Sequence, residues 1–406
     1  MKKVALAFLL LTACQPNSSA VAQSSSSTGA VQANRPPQAP DFAVTEVAKF
    51  DKPFALAFLP GGDLLVTEKG GKLKLRRASG QIVDVPGVPP VFSRGQGGLM
   101  DLKPAPDFAT SRRIYFTFAN PAGDGSELAL ARATMTTAPA LTDVQILWRG
   151  GSAGKGGHYG SKIAFAPDGR TLFLAAGERQ RFTPAQDPNQ ATGKILRLTL
   201  DGQAAPGNPN YGKTGAATVT VTDPPKNSEI AKTLAGRTVP ARQPNTTPSE
   251  TWTTGHRNPY GLAFDGDGRL WEIEMGPKGG DELNLIKRGL NYGYPAVSHG
   301  DNYDDVPFAR PRPGDGFEDA KAYWVPAMSP GGMIIYSGGL FPRWRGSALI
   351  AALSGEALIR VALDGEKATP AEYYNMGRRI RDVAQGPDGA VWLLADDGGL
   401  LRLSPR

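Results

Sequence analysis

Short apolar runs separated by polar turns recur along the chain from residue 55 to residue 404. They group as ALAFLPGGDLLVTEKGGKLKLR (55–76), LMDLKPAPDFATSRRIYFTFAN (99–120), KIAFAPDGRTLFLAAGE (162–178), LAFDGDGRLWEIEMG (262–276), GGLFPRWRGSALIAALSGEALIRVAL (338–363) and VAQGPDGAVWLLADDGGLLRLS (383–404). Each group reads as an apolar strand, a turn marked by Gly, Asp or Pro, and a second apolar strand. Several add a third strand ending in KLKLR, KILRL, LIRV or LLRL. Six such units at irregular spacing, with long inserts at 203–250 and 293–330, predict an all-β fold, a six-bladed β-propeller. A large β-sandwich with coincidental turns is the competing architecture. FAVTEVAKF (42–50) is expected to supply the outer strand of the last blade, which joins the chain ends and hides an edge.

Composition agrees with that pattern and narrows the chemistry. The 50 glycines and 35 prolines exceed a fifth of the 406 residues, and long helical periodicity is absent. The one cysteine excludes an internal disulfide and any cysteine-rich metal site. The three histidines, His158, His256 and His299, are too far apart for a zinc site of the HExxH type. The formal charge of +7 falls to +5 without Lys2 and Lys3, and it is dispersed among acids, which argues against nucleic-acid binding.

The first residues stand apart. MKKVALAFLLLTAC has two lysines and an apolar run too short to span a membrane, followed by Leu-Thr-Ala-Cys, which matches a bacterial lipobox. Residues 1–13 are expected to be a lipoprotein signal peptide, and Cys14 the lipidated first residue of the mature chain. Residues 14–41, poor in large apolar side chains, are expected to form a flexible tether ahead of the propeller domain at 42–406. Gln15 after the cysteine resembles outer-membrane sorting. The expected location is periplasm-facing, with the membrane touched only through the lipid.

The richest stretch is Gly255 to Pro295. His256-Arg257-Asn258-Pro259 opens it as a loop, a hairpin turns at Asp265-Gly266-Asp267-Gly268, and Met275 to Glu282 forms a second loop between acidic residues. One hairpin with polar loops at both ends is how a rigid sheet presents a site.

GHRNPYGLAF, EMGPKGGDELN and GLNYGYP resemble signatures of the soluble glucose/sorbosone dehydrogenases, the aldose sugar dehydrogenases that depend on pyrroloquinoline quinone. RGQGGLMDLKPAPDF (94–108), GGHYGSKIAFAPDG (156–169), AQDPNQATGKILRL (185–198) and RRIRDVAQGPDG (378–389) agree in order, so the resemblance spans nearly all of 43–404. It implies oxidation of the C1 hydroxyl of aldoses to lactones, with electrons passed to an external acceptor, by a monomer or homodimer.

By that resemblance His158 is the catalytic base, a role suited to a group titrating near neutrality. A lone histidine is more often structural, but this one stands just before a strand whose loop faces the central pocket. The family's aspartate before it is Gly157 here, which leaves the orienting role to another group. The resemblance makes Arg257 the cation that stabilises charge on the quinone, with Asn258, Gln96, Tyr303, Arg379 and Arg381 as cofactor contacts. It assigns the Gly276 and Pro277 carbonyls to a Ca²⁺ at the quinone. Glu282 and the Tyr292 carbonyl go to a second, structural Ca²⁺, with Asp301 as a further candidate ligand. Where the family carries a lysine in a Ser-Leu-Lys context, this chain has Ala352-Leu353-Ser354. Ser354 can donate a hydrogen bond but no charge, so either cofactor affinity is reduced or Arg378 or another cation meets the carboxylate there. A propeller without cofactor that binds sugar or protein, and a Ca²⁺-dependent lactonase-type hydrolase, are the alternative readings.

Overall fold

The structure, a computed structural model, describes residues 30–151, 153–223 and 235–406. The signal peptide, Cys14 and the first half of the expected tether lie outside the described residues.

Six antiparallel sheets form the blades. Their innermost strands are Pro53–Phe58, Leu99–Pro104, Gly160–Phe165, Pro259–Phe264, Pro330–Ile335 and Ile380–Gln385, numbered here as blades 1 to 6. Each touches the innermost strands of the blades beside it, and the ring closes from blade 6 to blade 1. Side chains on both faces of the second strands are buried, as in Leu64–Glu68 and Val391–Ala395, because each sheet is packed between two others.

Closure runs as the pattern predicts. Phe42–Lys49 pairs antiparallel with Gly399–Pro405, from Phe42 opposite Pro405 to Lys49 opposite Gly399. Phe42 anchors the strand, its ring edge-on to Tyr374 at 5.0 Å and Trp344 at 5.4 Å.

Two expectations are corrected. Residues 30–40, assigned to the tether, are laid on the propeller instead. Val31–Gln32 is a fifth, parallel strand of blade 4, Ala33 is buried, and Gln38 exchanges backbone hydrogen bonds with Tyr373 and Asn375 in blade 5. Backbone groups and the Asn34 amide, bonded to Val325 N–H and the Pro326 carbonyl, carry this contact, so apolar content does not reveal it. Blade 5 also begins earlier than its repeat unit, at Pro330–Ile335. The stretch from Gly338 is the turn, filled by Phe341 stacked on Trp344 at 4.1 Å. The 203–250 insert holds a small hairpin, Thr218–Val221 with Arg237–Pro240, before blade 3 receives its outer strand, Thr251–Thr254.

Two features position the site. Every innermost strand breaks register near its start, between Pro53 and Ala55, Leu99 and Leu102, Gly160 and Ile163, Pro259 and Gly261, Pro330 and Gly332, and Ile380 and Asp382. Bulges of this kind re-aim side chains at the end of a sheet. Below that end, buried Lys162 of blade 3 reaches Asp382 of blade 6 at 3.2 Å and Asp101 of blade 2 at 3.6 Å. Asp382 also accepts from Leu56 N–H of blade 1, so one ionic cluster ties four blades together.

Candidate active site

The residues that precede the innermost strands and those that follow the second strands share one rim of the ring. The pairings Pro53 with Glu68, Gly160 with Ala176, Pro259 with Glu274, Pro330 with Ala352 and Ile380 with Ala395 fix this. Lys52, Lys69, Gln96, His158, Glu178, Arg257, Gly276, Ser354 and Asp396 all belong to that rim.

His158 is buried and holds a left-handed backbone, φ 47°, which non-glycine residues adopt infrequently. Its N–H donates to Gln96 Oε1 at 2.7 Å, and its Nδ1 lies 2.5 Å from Glu178 Oε1. Burial lowers the imidazole pKa below 6.5, the Arg257 cation lowers it further, and Glu178 pulls the other way. Burial opposes ionisation of Glu178, yet its bond to His158, the nearby charges and Phe182 N–H hold it below its ordinary value. An ionised Glu178 fixes the proton on Nδ1 and leaves the Nε2 lone pair as the base. Arg179 secures the preceding loop, bonding the carbonyls of Gly156, Gly157 and Ser126 while lying 4.1 Å over the Tyr159 ring. A Cβ at Gly157 would stand 2.6 Å from Gln96 Cδ, so Gln96 occupies the space an acid there needs.

Arg257 and Asn258 are both buried, and both backbone N–H groups donate to Glu274. Arg257 lies 5.9 Å from the rings of Tyr294 and the exposed Tyr303, and its Nη1 donates to the carbonyls of Met275 and Gly276. Its buried Nε has no hydrogen-bond partner among the described residues. The Asn258 amide oxygen accepts from Gly160 N–H at 3.1 Å, which joins blades 3 and 4.

The four expected metal residues come together around one small void of about 10 Å³, lined by Gly276, Pro277, Glu282 and Tyr292 with Glu274. Asp281 sets the loop by accepting from Gly276, Met328 and Ser329 N–H groups, and burial pushes its pKa up to about 6. Gly276 is required there, since a Cβ would meet Gly280 O at 2.2 Å. Burial and the neighbouring Glu274 raise Glu282 well above the usual carboxylate range. Asp301 is corrected as a ligand candidate. It pairs with Arg310 at 2.6 Å, and the further acid at the void is Glu274.

Gln96, which holds the His158 N–H, also lines a cavity of about 370 Å³, with Lys52, Lys69, Arg381, Asp396 and Tyr260 on its wall. Asp396 takes Arg381 on one oxygen and Arg379 on the other, so the two arginines do face one group as their alternation predicts. Only Arg381 lines the cavity; Arg379 is half-exposed outside it. Ser354 lies off that wall, bonded to Ser329 Oγ at 2.8 Å and the Ala327 carbonyl. Arg378 does not stand in for the family lysine, because Glu46 and Asp397 engage it. Sequence reading missed Glu178, Glu274, Lys69 and Asp396. Each ends or follows a second strand, and that position was the available signal.

The sequence model of glucose/sorbosone dehydrogenases matches residues 50–222 and 233–402 of this chain. Aldose sugar dehydrogenase YliI of Escherichia coli (strain K12) is 34% identical over 371 residues, covering 88% of this chain and 91% of that protein. The crystal structure of the soluble aldose sugar dehydrogenase from Escherichia coli in the apo-form superposes with a TM-score of 0.78 at 33% identity, covering 90% of this chain and 100% of that one. The PQQ-bound form of the aldose sugar dehydrogenase from Streptomyces coelicolor gives 0.68 at 30% identity, covering 91% and 99%.

Proposed function

The chain belongs to the glucose/sorbosone dehydrogenase family, and from that premise we propose that it is a quinoprotein oxidoreductase that converts the C1 hydroxyl of an aldose to the lactone. The observation that carries this reading is the His158–Glu178 pair, bridged by Gln96 to a cation-rich cavity.

The residues present fit the cofactor. Pyrroloquinoline quinone carries three carboxylates, and the cavity wall sets Lys52, Lys69 and Arg381 against the one carboxylate of Asp396, while Arg257, on the wall of the smaller void, has a buried Nε with no partner among the described residues. When bound, the quinone supplies the acceptor for the hydride lost from C1 and yields its electrons to an external acceptor. His158 Nε2 takes the hydroxyl proton, and the O–H electron pair becomes the second C1–O bond. Glu178 holds the ring in place and balances the imidazolium that forms. Arg257, fixed through Glu274 and the 275–276 carbonyls, presents a permanent cation to negative charge that develops beside it.

Calcium belongs to the same reading. Gly276 and Pro277 serve an ion at the quinone and Glu282 and Tyr292 a structural one; all four line one void, where a divalent ion would relieve the crowding of half-buried Glu282 against Glu274. The N-terminal lipobox supports export and anchoring by lipid at Cys14.

The test is reconstitution of the metal-free protein with the quinone and Ca²⁺, followed by absorbance and by dye reduction with a panel of aldoses. A cofactor spectrum and aldose-dependent reduction are expected. Absence of both overturns the reading.

A further inference from the structure

Blades 5 and 1 flank blade 6 on either side, so the ends of their second strands stand on the two flanks of Arg381. On the blade 5 flank Ser354 is turned away into Ala327 and Ser329. On the blade 1 flank Lys69 follows Leu64–Glu68 directly and lines the cavity. We propose that Lys69 is the cation that meets a carboxylate of the quinone in this chain, supplied from the opposite flank to the position that Ser354 has vacated. The proposal rests on the quinoprotein reading above and names a binding residue for it.

Three observations carry it. First, Lys69 is held in place before any ligand arrives. Its N–H donates to the Lys52 carbonyl at 3.0 Å, and its stem lies so close to Gly98 that a Cβ there would sit 2.6 Å from Lys69 Cγ. Little side-chain freedom is then left to lose on binding. Second, Lys69 Nζ donates to the Gly95 carbonyl at 2.5 Å and forms no ion pair among the described residues. The one acid on the cavity wall, Asp396, is already shared between Arg379 and Arg381. Lys52, Lys69 and Arg381 together thus leave two positive charges on the wall without a counter-ion among the described residues. Third, the arrangement is costly without an anion. Burial disfavours the Lys69 ammonium, and the Arg381 charge adds to that. A carboxylate placed between the two cations removes the repulsion and gives Lys69 a charge-assisted bond.

The experiment is a fluorescence titration of the Ca²⁺-loaded protein with pyrroloquinoline quinone at several ionic strengths. Lys69→Met is expected to weaken binding by roughly ten- to a hundredfold, the worth of one charged hydrogen bond, and to flatten its salt dependence. Lys69→Arg restores both affinity and salt dependence. Ser354→Lys gives no gain, because the carboxylate is already met. Lys69→Met binding within twofold of the wild type overturns the proposal while leaving the quinoprotein reading intact. A loss of affinity with unchanged salt dependence also overturns it, since that marks a structural role. A wild type that binds no quinone at any salt concentration sinks the quinoprotein reading itself, and this inference with it.

Discussion

Glu178, twenty positions from His158 in sequence, places its Oε1 2.5 Å from the histidine Nδ1, and both side chains are buried. It fills the orienting role left open by Gly157. Replacing it with Gln keeps the shape and removes the charge. Turnover of Glu178→Gln is expected to fall by roughly 10²–10⁴-fold.

The pH profile tests the same pair from another side. His158 acts as base when neutral, and its pKa lies below the ordinary 6.5 because of burial and Arg257. Activity is therefore retained as pH falls past 6.5 and is lost only through the lowered value. Glu178 opposes that lowering, so in Glu178→Gln the acidic limb of kcat/KM moves further down. A limb that moves up contradicts the assignment.

His158→Gln is expected to leave quinone affinity near normal and to lower turnover by roughly 10²–10⁴-fold. Wild-type turnover in that variant places the base elsewhere.

Much of this was legible in the sequence because hydrophobic alternation and turn residues act locally. The hairpins around Asp265–Gly268 and Asp388–Gly389 form where the pattern puts them, and Phe42–Lys49 closes the ring. The Arg257–Asn258 and Gly276–Pro277 loops meet at one rim for the same reason. What stayed hidden depends on neighbours brought in by the fold. Glu178 and Asp396 look like solvated strand ends until His158 and Arg381 stand beside them. Residues 30–40 dock through backbone hydrogen bonds, which side-chain hydropathy cannot register. Asp301 looked like a ligand by proximity in sequence, but in the fold it pairs with Arg310 and does not line the void.

The axial cluster sets a stability prediction. Lys162→Met leaves Asp101 and Asp382 buried without their cation and should cost about 3–5 kcal/mol in chemical denaturation. Adding Asp382→Asn should recover part of that loss. A single variant as stable as the wild type contradicts the role given to this cluster.

Restoring the family's acid should do harm. In Gly157→Asp the new Cβ displaces Gln96 from His158 N–H, so kcat/KM should fall by roughly ten- to a hundredfold. A gain in activity would show that Gln96 can be moved without cost.

Calcium should raise the melting temperature of the metal-free chain. At about a hundredfold excess over Kd the linkage is worth about 2.7 kcal/mol. Glu282→Gln should abolish the shift in a thermal scan. A wild type indifferent to Ca²⁺ contradicts the assignment of Glu282.

The six register breaks have a consequence for how such a rim can change over time. Below each bulge the strand obeys the alternation that the core demands, and above it the residue is released from that constraint. The rim is thus six separately editable words on one fixed page. A residue that opens one innermost strand can change without disturbing the ring below it.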